Sequence, residues 1–130
     1  MTKPPFPASH LRLKRAYKPA EPEDGVRILI DRLWPRGLSK EEAALSEWDK
    51  DIAPSTELRQ WFGHDPKRWL EFQRRYRAEL RQHTQELDRI RALAKTQTVT
   101  LVYGAHDEEH NDAIVVKDVL LQETRRPRDG

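Results

Sequence analysis

Residues 26–33 have the sequence Val-Arg-Ile-Leu-Ile-Asp-Arg-Leu, which is the strongest strand signal in the chain. This nearly continuous apolar run favours a β-strand that is covered on both faces. Residues 98–103, Thr-Val-Thr-Leu-Val-Tyr, are rich in β-branched side chains and predict a second strand. Apolar and basic residues alternate over 11–17, which predicts a short strand at the edge of the sheet.

Helix signals fill the long interval between the two strong strands. Ser39 lies three residues before Glu42, which is the spacing of a capping box at a helix start. The Ser-Thr pair at 55–56 can cap a second helix, and the Asp-Pro pair at 65–66 predicts the start of a third. Apolar residues then recur every three or four positions on one helix face, at Trp69, Phe72, Tyr76, Leu80, Leu87, Ile90, Leu93 and Ala94.

A last helix is expected after Asn111, although the run at 114–116 also fits a strand. Apolar positions recur there at three and four residues, which favours the helix. Strand, helices, strand and helix in this order predict an α/β fold, with a small, mainly parallel sheet of about three strands in a three-layer α/β/α arrangement. The placement of the strand over 11–17 stays open, because the connection at 18–25 is short for a parallel crossover.

The length of 130 residues predicts a single domain, which we place at 11–124. Three prolines in residues 1–10 predict a flexible arm, and the basic residues 125–130 predict a flexible tail. Four Trp, three Tyr and three Phe argue against a disordered chain. The chain has no cysteine, which excludes a disulfide framework and a thiolate zinc site.

The net charge is only +2, and no apolar run is long enough to span a bilayer. Residues 1–6 lack the apolar core of a secretory signal. The absence of cysteine fits a reducing compartment. We therefore expect a cytoplasmic protein that does not associate with membranes.

The carboxyl ends of the predicted strands carry many polar and aromatic side chains, whereas the opposite ends carry few. In open parallel sheets, ligands bind in the crevice beyond these carboxyl ends. The side chains are Arg15 and Tyr17 after the first strand, Asp31, Arg32, Trp34 and Arg36 after the second, and Tyr103, His106, Asp107 and Asn111 after the third.

Arg32 and Arg36 flank a Trp-Pro pair just before a predicted helix start. A guanidinium group binds carboxylate or phosphate through two parallel hydrogen bonds, and a helix N-terminus adds free N–H groups. This combination indicates an anion site. The alternative is structural: Arg32 could instead form an ion pair with Asp31, Asp107 or Glu47.

Histidine and serine residues near these segments allow more than one interpretation. His106 and His110 have the spacing of a zinc-binding helix, but Asp107 replaces the glutamate that should follow the first histidine, so we predict no metal site. His64 is either a general acid or base or an ordinary loop residue. Ser55 is either a nucleophile or a helix cap, and the capping role is favoured.

Several sequence blocks are typical of one family. They are Lys14-Arg15-Ala16-Tyr17, Asp31-Arg32-Leu33-Trp34-Pro35-Arg36-Gly37, Ala53-Pro54-Ser55-Thr56-Glu57-Leu58-Arg59, Trp61-Phe62-Gly63-His64-Asp65 and Thr100-Leu101-Val102-Tyr103, the last followed by Asp107 and Asn111. Through them the chain resembles the YeaO-like branch of domain of unknown function 488 over residues 11–122. The resemblance implies a small bacterial cytosolic α/β protein and assigns it no activity.

Carried over position by position, the resemblance implicates Arg15, Asp31, Arg32, Trp34, Arg36, Ser55, His64, Asp107 and Asn111. The chain departs from the family pattern at two positions. His106 stands where lysine is frequent in the family, which favours an anion-facing role there over metal binding. Asp112 stands where histidine is frequent, which leaves the role of that position open.

Two functional hypotheses follow. In the first, the chain binds a small anionic ligand and either acts on it or only holds it. Arg32 and Arg36 would bind its charge, Trp34 would form a wall, and Asp107 or His64 would transfer protons. In the second, the arginines of residues 67–91 make the chain a regulatory or nucleic-acid-associated module, although Glu and Asp interleave them. The sequence identifies no cofactor and no oligomeric state.

Overall fold

The computed structural model describes residues 4–122. Within them one parallel sheet has four strands in the order β1-β4-β2-β3. The strands are β1 (Leu11–Arg15), β2 (Val26–Leu29), β3 (Glu47–Trp48) and β4 (Val99–Tyr103). The predicted α/β fold with a parallel sheet is confirmed, with four strands where about three were expected. The additional strand, β3, has only two residues and therefore leaves no periodic signal in the sequence.

The five α-helices of the described residues are α1 (Lys40–Ala43), α2 (Thr56–Phe62), α3 (Trp69–Leu80), α4 (Thr84–Thr96) and α5 (Asp112–Leu121). Ser39 and Glu42 form the predicted capping box at α1. The Ser55 hydroxyl accepts a hydrogen bond from Leu58 N at the start of α2, and Asn111 caps α5 through Ile114 N. Residues 114–116 are therefore helical, as the apolar spacing predicted.

Most of the hydrophobic core lies on one face of the sheet. Helices α2 to α5 pack there against alternate strand residues, such as Ile28 and Leu101. The other face carries a smaller core around Leu29 and Val102. Helix α1 and the connection between β1 and β2 lie near that face. The Ala43 carbonyl of α1 accepts hydrogen bonds from Arg27. The two helical layers of the expected arrangement are thus very unequal.

An arm was expected over residues 1–10. Residues 4–10, the part of it that the structure describes, contact this core. Phe6 is buried, and the His10 ring Nδ1 lies 2.6 Å from the Ala94 carbonyl oxygen. Residues 1–3 and the predicted tail at 125–130 lie outside the described residues. None of the helices in residues 4–122 has the length and apolar character that a membrane crossing requires.

The strand order explains how the short connection at 18–25 is accommodated. Strand β4 lies between β1 and β2, so that Val99 is the register partner of both Leu11 and Val26. The connection returns across β4 to the start of β2. At its end Gly25 has a φ of +64°, and a Cβ there would lie 2.2 Å from the Thr98 carbonyl oxygen. Only glycine fits this position, because both the backbone conformation and the close approach exclude a side chain.

Asp24 is fully buried beneath this connection. Its carboxylate lies 2.7 Å from Arg27 Nη1 on β2 and 3.1 Å from Lys14 Nζ on β1, and Thr100 Oγ1 of β4 donates to its carbonyl at 2.7 Å. Burial alone would raise the pKa of Asp24, but hydrogen bonds from Glu21 N–H, Lys14 and Arg27 bring it below its ordinary value. One residue thus connects three strands.

Asp24→Asn should lower the free energy of unfolding by about 3–5 kcal/mol, because it leaves the buried Arg27 guanidinium without its counter-charge. Urea denaturation at neutral pH measures this. The matched control is Asp118→Asn, since Asp118 lies 3.4 Å from an arginine, Arg77, and the side chains of both residues are partly exposed. That change should remain within about 1 kcal/mol. Equal effects of the two substitutions would contradict the role given to Asp24.

Candidate functional site

A cleft of about 530 Å³ opens at the carboxyl ends of β2 and β4. Helices α2, α3 and α5 contribute Phe62, Phe72 and Asp112 to its walls. Of the residues expected at a ligand site, the cleft is lined by Asp31, Arg32, Trp34, Arg36, His64, His106, Asp107 and Asn111. The structure therefore brings these side chains together, and their roles remain predictions.

Two of the expected residues do not line the cleft. Arg15 lies beside it, where its Nε donates to the Ala105 carbonyl at 2.8 Å and its guanidinium lies 3.5 Å from His106 Nδ1. Ser55 faces away, and its N–H and hydroxyl donate to the two oxygens of Glu79 at 2.8 and 2.6 Å. These contacts, with its capping bond, account for Ser55 as a structural residue.

The arginines of the cleft differ from most arginines elsewhere in the described residues. Within residues 4–122, Arg32, Arg36 and Arg59 have no carboxylate within 4.0 Å, whereas Arg27 and Arg91 each pair with one. Arg32 donates from Nε to the Pro54 carbonyl at 2.9 Å, so the expected alternative of an ion pair with Asp31, Asp107 or Glu47 does not form. The backbone bond orients Arg32 without neutralising its charge.

Arg59, on α2, was not expected at the site. It lines the cleft, and its Nε–H is buried with no acceptor among the described residues. Buried donors in proteins nearly always have a partner, so this N–H is an exception among the side-chain donors of the described residues. The sequence offered one signal: Arg59 follows the helix cap Ser55 by one turn, within one of the family blocks.

Asp31 and Asp112 form a carboxyl pair at the base of the cleft. The Asp31 carboxylate accepts a hydrogen bond from Gly104 N at 2.8 Å, and its Oδ2 would lie 3.3 Å from a Cβ at Gly104. Asp112, the first residue of α5, lines the same cleft, where the charge of the Asp31 carboxylate acts on it. Burial and the adjacent Asp31 carboxylate raise the pKa of Asp112 well above its ordinary value. Asp112 therefore retains its proton more readily than an isolated aspartate would.

Asp107 holds the loop between β4 and α5. Its Oδ1 accepts from Glu109 N and His110 N at 2.8 and 3.0 Å, and its Oδ2 lies 2.8 Å from His110 Nδ1. The Glu109 N–H first, and then the His110 side chain, lower the pKa of Asp107. An ionised carboxylate with this many partners is poorly suited to transferring protons, the role expected for it.

His110, which contacts Asp107, also lies at the cleft. It lines the cleft and packs edge-on against Trp69, with 5.2 Å between ring centroids. The contact with Asp107 favours the tautomer protonated on Nδ1, which leaves Nε2 as a hydrogen-bond acceptor. His64, expected as an acid or base, lies exposed after Gly63 in a left-handed conformation with a φ of +57°.

Residues 104–111 are not helical, so His106 and His110 do not share the helix face that a zinc site of this spacing requires. Within the described residues, the acidic group with metal-like spacing is Glu47, Asp49 and Glu86, which does not line the cleft. The Arg89 guanidinium donates to Glu47 and Glu86 and supplies their counter-charge.

Trp34 lines the cleft and is held in place by its neighbours. Its indole N–H donates to the Leu38 carbonyl at 2.8 Å, and its ring packs edge-on against Trp48 at 5.5 Å. The Trp48 indole in turn donates to the Asp31 carbonyl at 2.8 Å. The two indoles thus hold the backbone from Asp31 to Leu38, and with it the direction in which Arg32 and Arg36 leave the chain.

Asp112→Asn should stabilise the protein at alkaline pH. Because the folded-state pKa of Asp112 is raised, the native state binds more protons than the unfolded state above the ordinary value of 3.8, and stability falls as pH rises through the folded-state pKa. The asparagine is neutral at every pH and can still donate to Asp31. Urea unfolding should therefore show a gain near about pH 8 that shrinks toward about pH 4.

The control is Asp118→Asn, an exposed carboxylate on the same helix, 3.4 Å from Arg77. The free energy of unfolding of Asp118→Asn should show no such gain over the unsubstituted protein at alkaline pH. A loss of stability in Asp112→Asn that is equal at all pH values would show that Asp31 and Asp112 do not compete for a proton.

Comparison with known proteins places the chain in a family. The family model described as "Inactive DUF488-N3 subclade" matches residues 10–130. The chain is 50% identical to the uncharacterised protein YeaO of Escherichia coli over 111 residues, which is 85% of this chain and 96% of the relative. It is 38% identical to uncharacterised proteins of Mycobacterium bovis and Mycobacterium tuberculosis over 112 residues, which is 86% of this chain and 94% of each relative. No solved structure matches it significantly. The chain therefore belongs to the YeaO-like family of domain of unknown function 488.

Proposed function

We propose that the protein binds a small anionic ligand, bearing phosphate or carboxylate, in the cleft at the carboxyl ends of β2 and β4. The observation that carries this proposal is that Arg32, Arg36 and Arg59 line one cleft and, within residues 4–122, have no carboxylate within 4.0 Å. An anion in the cleft would accept hydrogen bonds from the guanidinium groups that line it. The same anion would also supply the counter-charge that Arg32 and Arg36 lack.

We favour the form of this proposal in which the protein binds the ligand without catalysing a reaction. The family model that matches the chain is described as inactive. The residue expected to transfer protons, Asp107, has three hydrogen-bonding contacts within its own loop. A ligand would be held by preformed contacts, because Arg32 and Trp34 are already oriented by backbone carbonyls.

The nucleic-acid hypothesis receives less support. Its arginines, at 67–91, largely pair with neighbouring acids: Arg74 and Arg75 with Glu71, Arg89 with Glu86, and Arg91 with Asp88. Paired guanidinium groups contribute little net charge to a phosphate backbone. Three arginines without a carboxylate partner in the described residues, Arg32, Arg36 and Arg59, lie instead in a concave site, which suits a small molecule better than a duplex.

Arg59→Ala and Arg36→Ala should each weaken anion binding about ten-fold or more, because a charge-assisted hydrogen bond contributes roughly 1.5–3 kcal/mol. Thermal unfolding against a panel of phosphate and carboxylate compounds would identify a stabilising ligand, and isothermal titration calorimetry would measure its affinity. The stability of the free protein should change little, since neither guanidinium has a carboxylate partner within the described residues.

The matched control is Arg81→Ala. Arg81 is exposed at the end of α3, has no carboxylate within 4.0 Å in the described residues, and does not line the cleft. Its loss removes the same charge and should leave the affinity unchanged within about two-fold. If all three variants weaken anion binding equally, the effect is one of net charge. If no anion stabilises the protein, the proposed function is overturned.

A further inference from the structure

Resting on the proposed function, we infer that the ligand is a phosphorylated polyol: its phosphate binds the arginines, and its hydroxyl groups bind the Asp31–Asp112 pair. The volume of the cleft supports a ligand with two parts. At about 530 Å³, it holds far more than one tetrahedral anion, since a water molecule occupies only about 30 Å³ in the liquid. A phosphate group bound to the arginines would therefore fill only a small part of the cleft.

The second part of the ligand must form hydrogen bonds with the carboxyl groups of Asp31 and Asp112. Asp31 is oriented by the Gly104 N–H, and both carboxyl groups line the cleft. Because Asp31 and Asp112 both line the cleft, their carboxyl groups present several acceptor oxygens, and a proton held by Asp112 adds one O–H donor. A hydroxyl group is also both donor and acceptor, so hydroxyl groups complement this pair, and neighbouring hydroxyls can bind the two oxygens of one carboxylate.

An ammonium group is the competing partner for two acidic side chains. It fits less well here, for two reasons. A pair that retains a proton carries less negative charge than two separate carboxylates. Arg32 and Arg59 line the same cleft without carboxylate partners in residues 4–122, so a further cation would be repelled. Uncharged hydroxyls avoid this repulsion.

Aromatic side chains lie beside the two polar groups. Trp34, Phe62 and Phe72 line the cleft, and Trp34 is fixed by its bond to Leu38. Their faces and edges provide apolar contact for the carbon skeleton of a sugar ring or for an attached planar base. A free sugar phosphate and the ribose phosphate of a nucleotide share the chemistry required, and both are tested below.

Calorimetry on the full chain should compare methyl phosphate, ribose 5-phosphate, adenosine 5′-monophosphate and phosphoethanolamine. We expect ribose 5-phosphate or the nucleotide to bind about ten-fold or more tightly than methyl phosphate, through hydrogen bonds to the carboxyl pair. If ribose 5-phosphate binds more tightly than the nucleotide, the ligand is a free sugar phosphate. If adenosine 5′-monophosphate binds more tightly, the ligand is a nucleotide. Phosphoethanolamine should bind no better than methyl phosphate.

Substitutions separate the two parts of the ligand. Asp31→Ala and Asp112→Ala should each reduce the preference for ribose 5-phosphate over methyl phosphate about ten-fold, because alanine removes the groups that would bind the hydroxyls. Arg36→Ala should weaken both compounds by a similar factor and so preserve the preference. Using two aspartate variants guards against one of them misfolding, which thermal unfolding of each free protein would reveal.

The failures are distinguishable. If methyl phosphate and ribose 5-phosphate bind equally, or phosphoethanolamine binds more tightly than both, the polyol inference is overturned while anion binding stands. If no phosphate compound binds, and Arg59→Ala changes nothing, the proposed function fails as well. If the preference exists but both aspartate variants retain it, the hydroxyl groups bind elsewhere and the assignment to Asp31 and Asp112 is wrong.

Discussion

The buried carboxylate of Asp24 connects the parts of the sheet that the chain itself joins only through a short crossover. It contacts Lys14 on β1 and Arg27 on β2, while its carbonyl accepts from Thr100 on β4. Its cationic partners are taken out of water with it, so each group depends on the others for its counter-charge. The result is that β4, the last strand in sequence, is held between the first two.

This strand order creates the cleft. With β4 beside β2, the backbone at Gly104 meets the segment that follows β2, and Asp31 can accept the Gly104 N–H. Helix α5 begins after the next loop and brings Asp112 against Asp31. A side chain at Gly104 would crowd this contact, since its Cβ would lie 3.3 Å from the Asp31 carboxylate. The acidic pair is therefore a consequence of sheet topology.

The balance of charge distinguishes the cleft from the remaining surface. On α3 and α4 the arginines are neutralised by nearby acids, as with Arg74 and Glu71. Inside the cleft Asp31 accepts a hydrogen bond from the Gly104 backbone, and within the described residues neither Asp31 nor Asp112 forms an ion pair with Arg32 or Arg59. Such an arrangement keeps acidic and cationic hydrogen-bonding groups available in one cavity, which suits a ligand that carries both an anion and neutral polar groups.

Local sequence signals were sufficient for the helix caps and for strands β2 and β4, although β2 ends at Leu29 and not at residue 33 as predicted. Each of these signals depends on residues a few positions apart. Apolar periodicity and the caps at Ser39, Ser55 and Asn111 are signals of this kind. Strand β3, the contribution of Arg59 and the Asp31–Asp112 pair needed the tertiary structure. They arise from contacts between segments distant in sequence, and no spacing along the chain records which carboxylate faces an arginine and which faces another carboxylate.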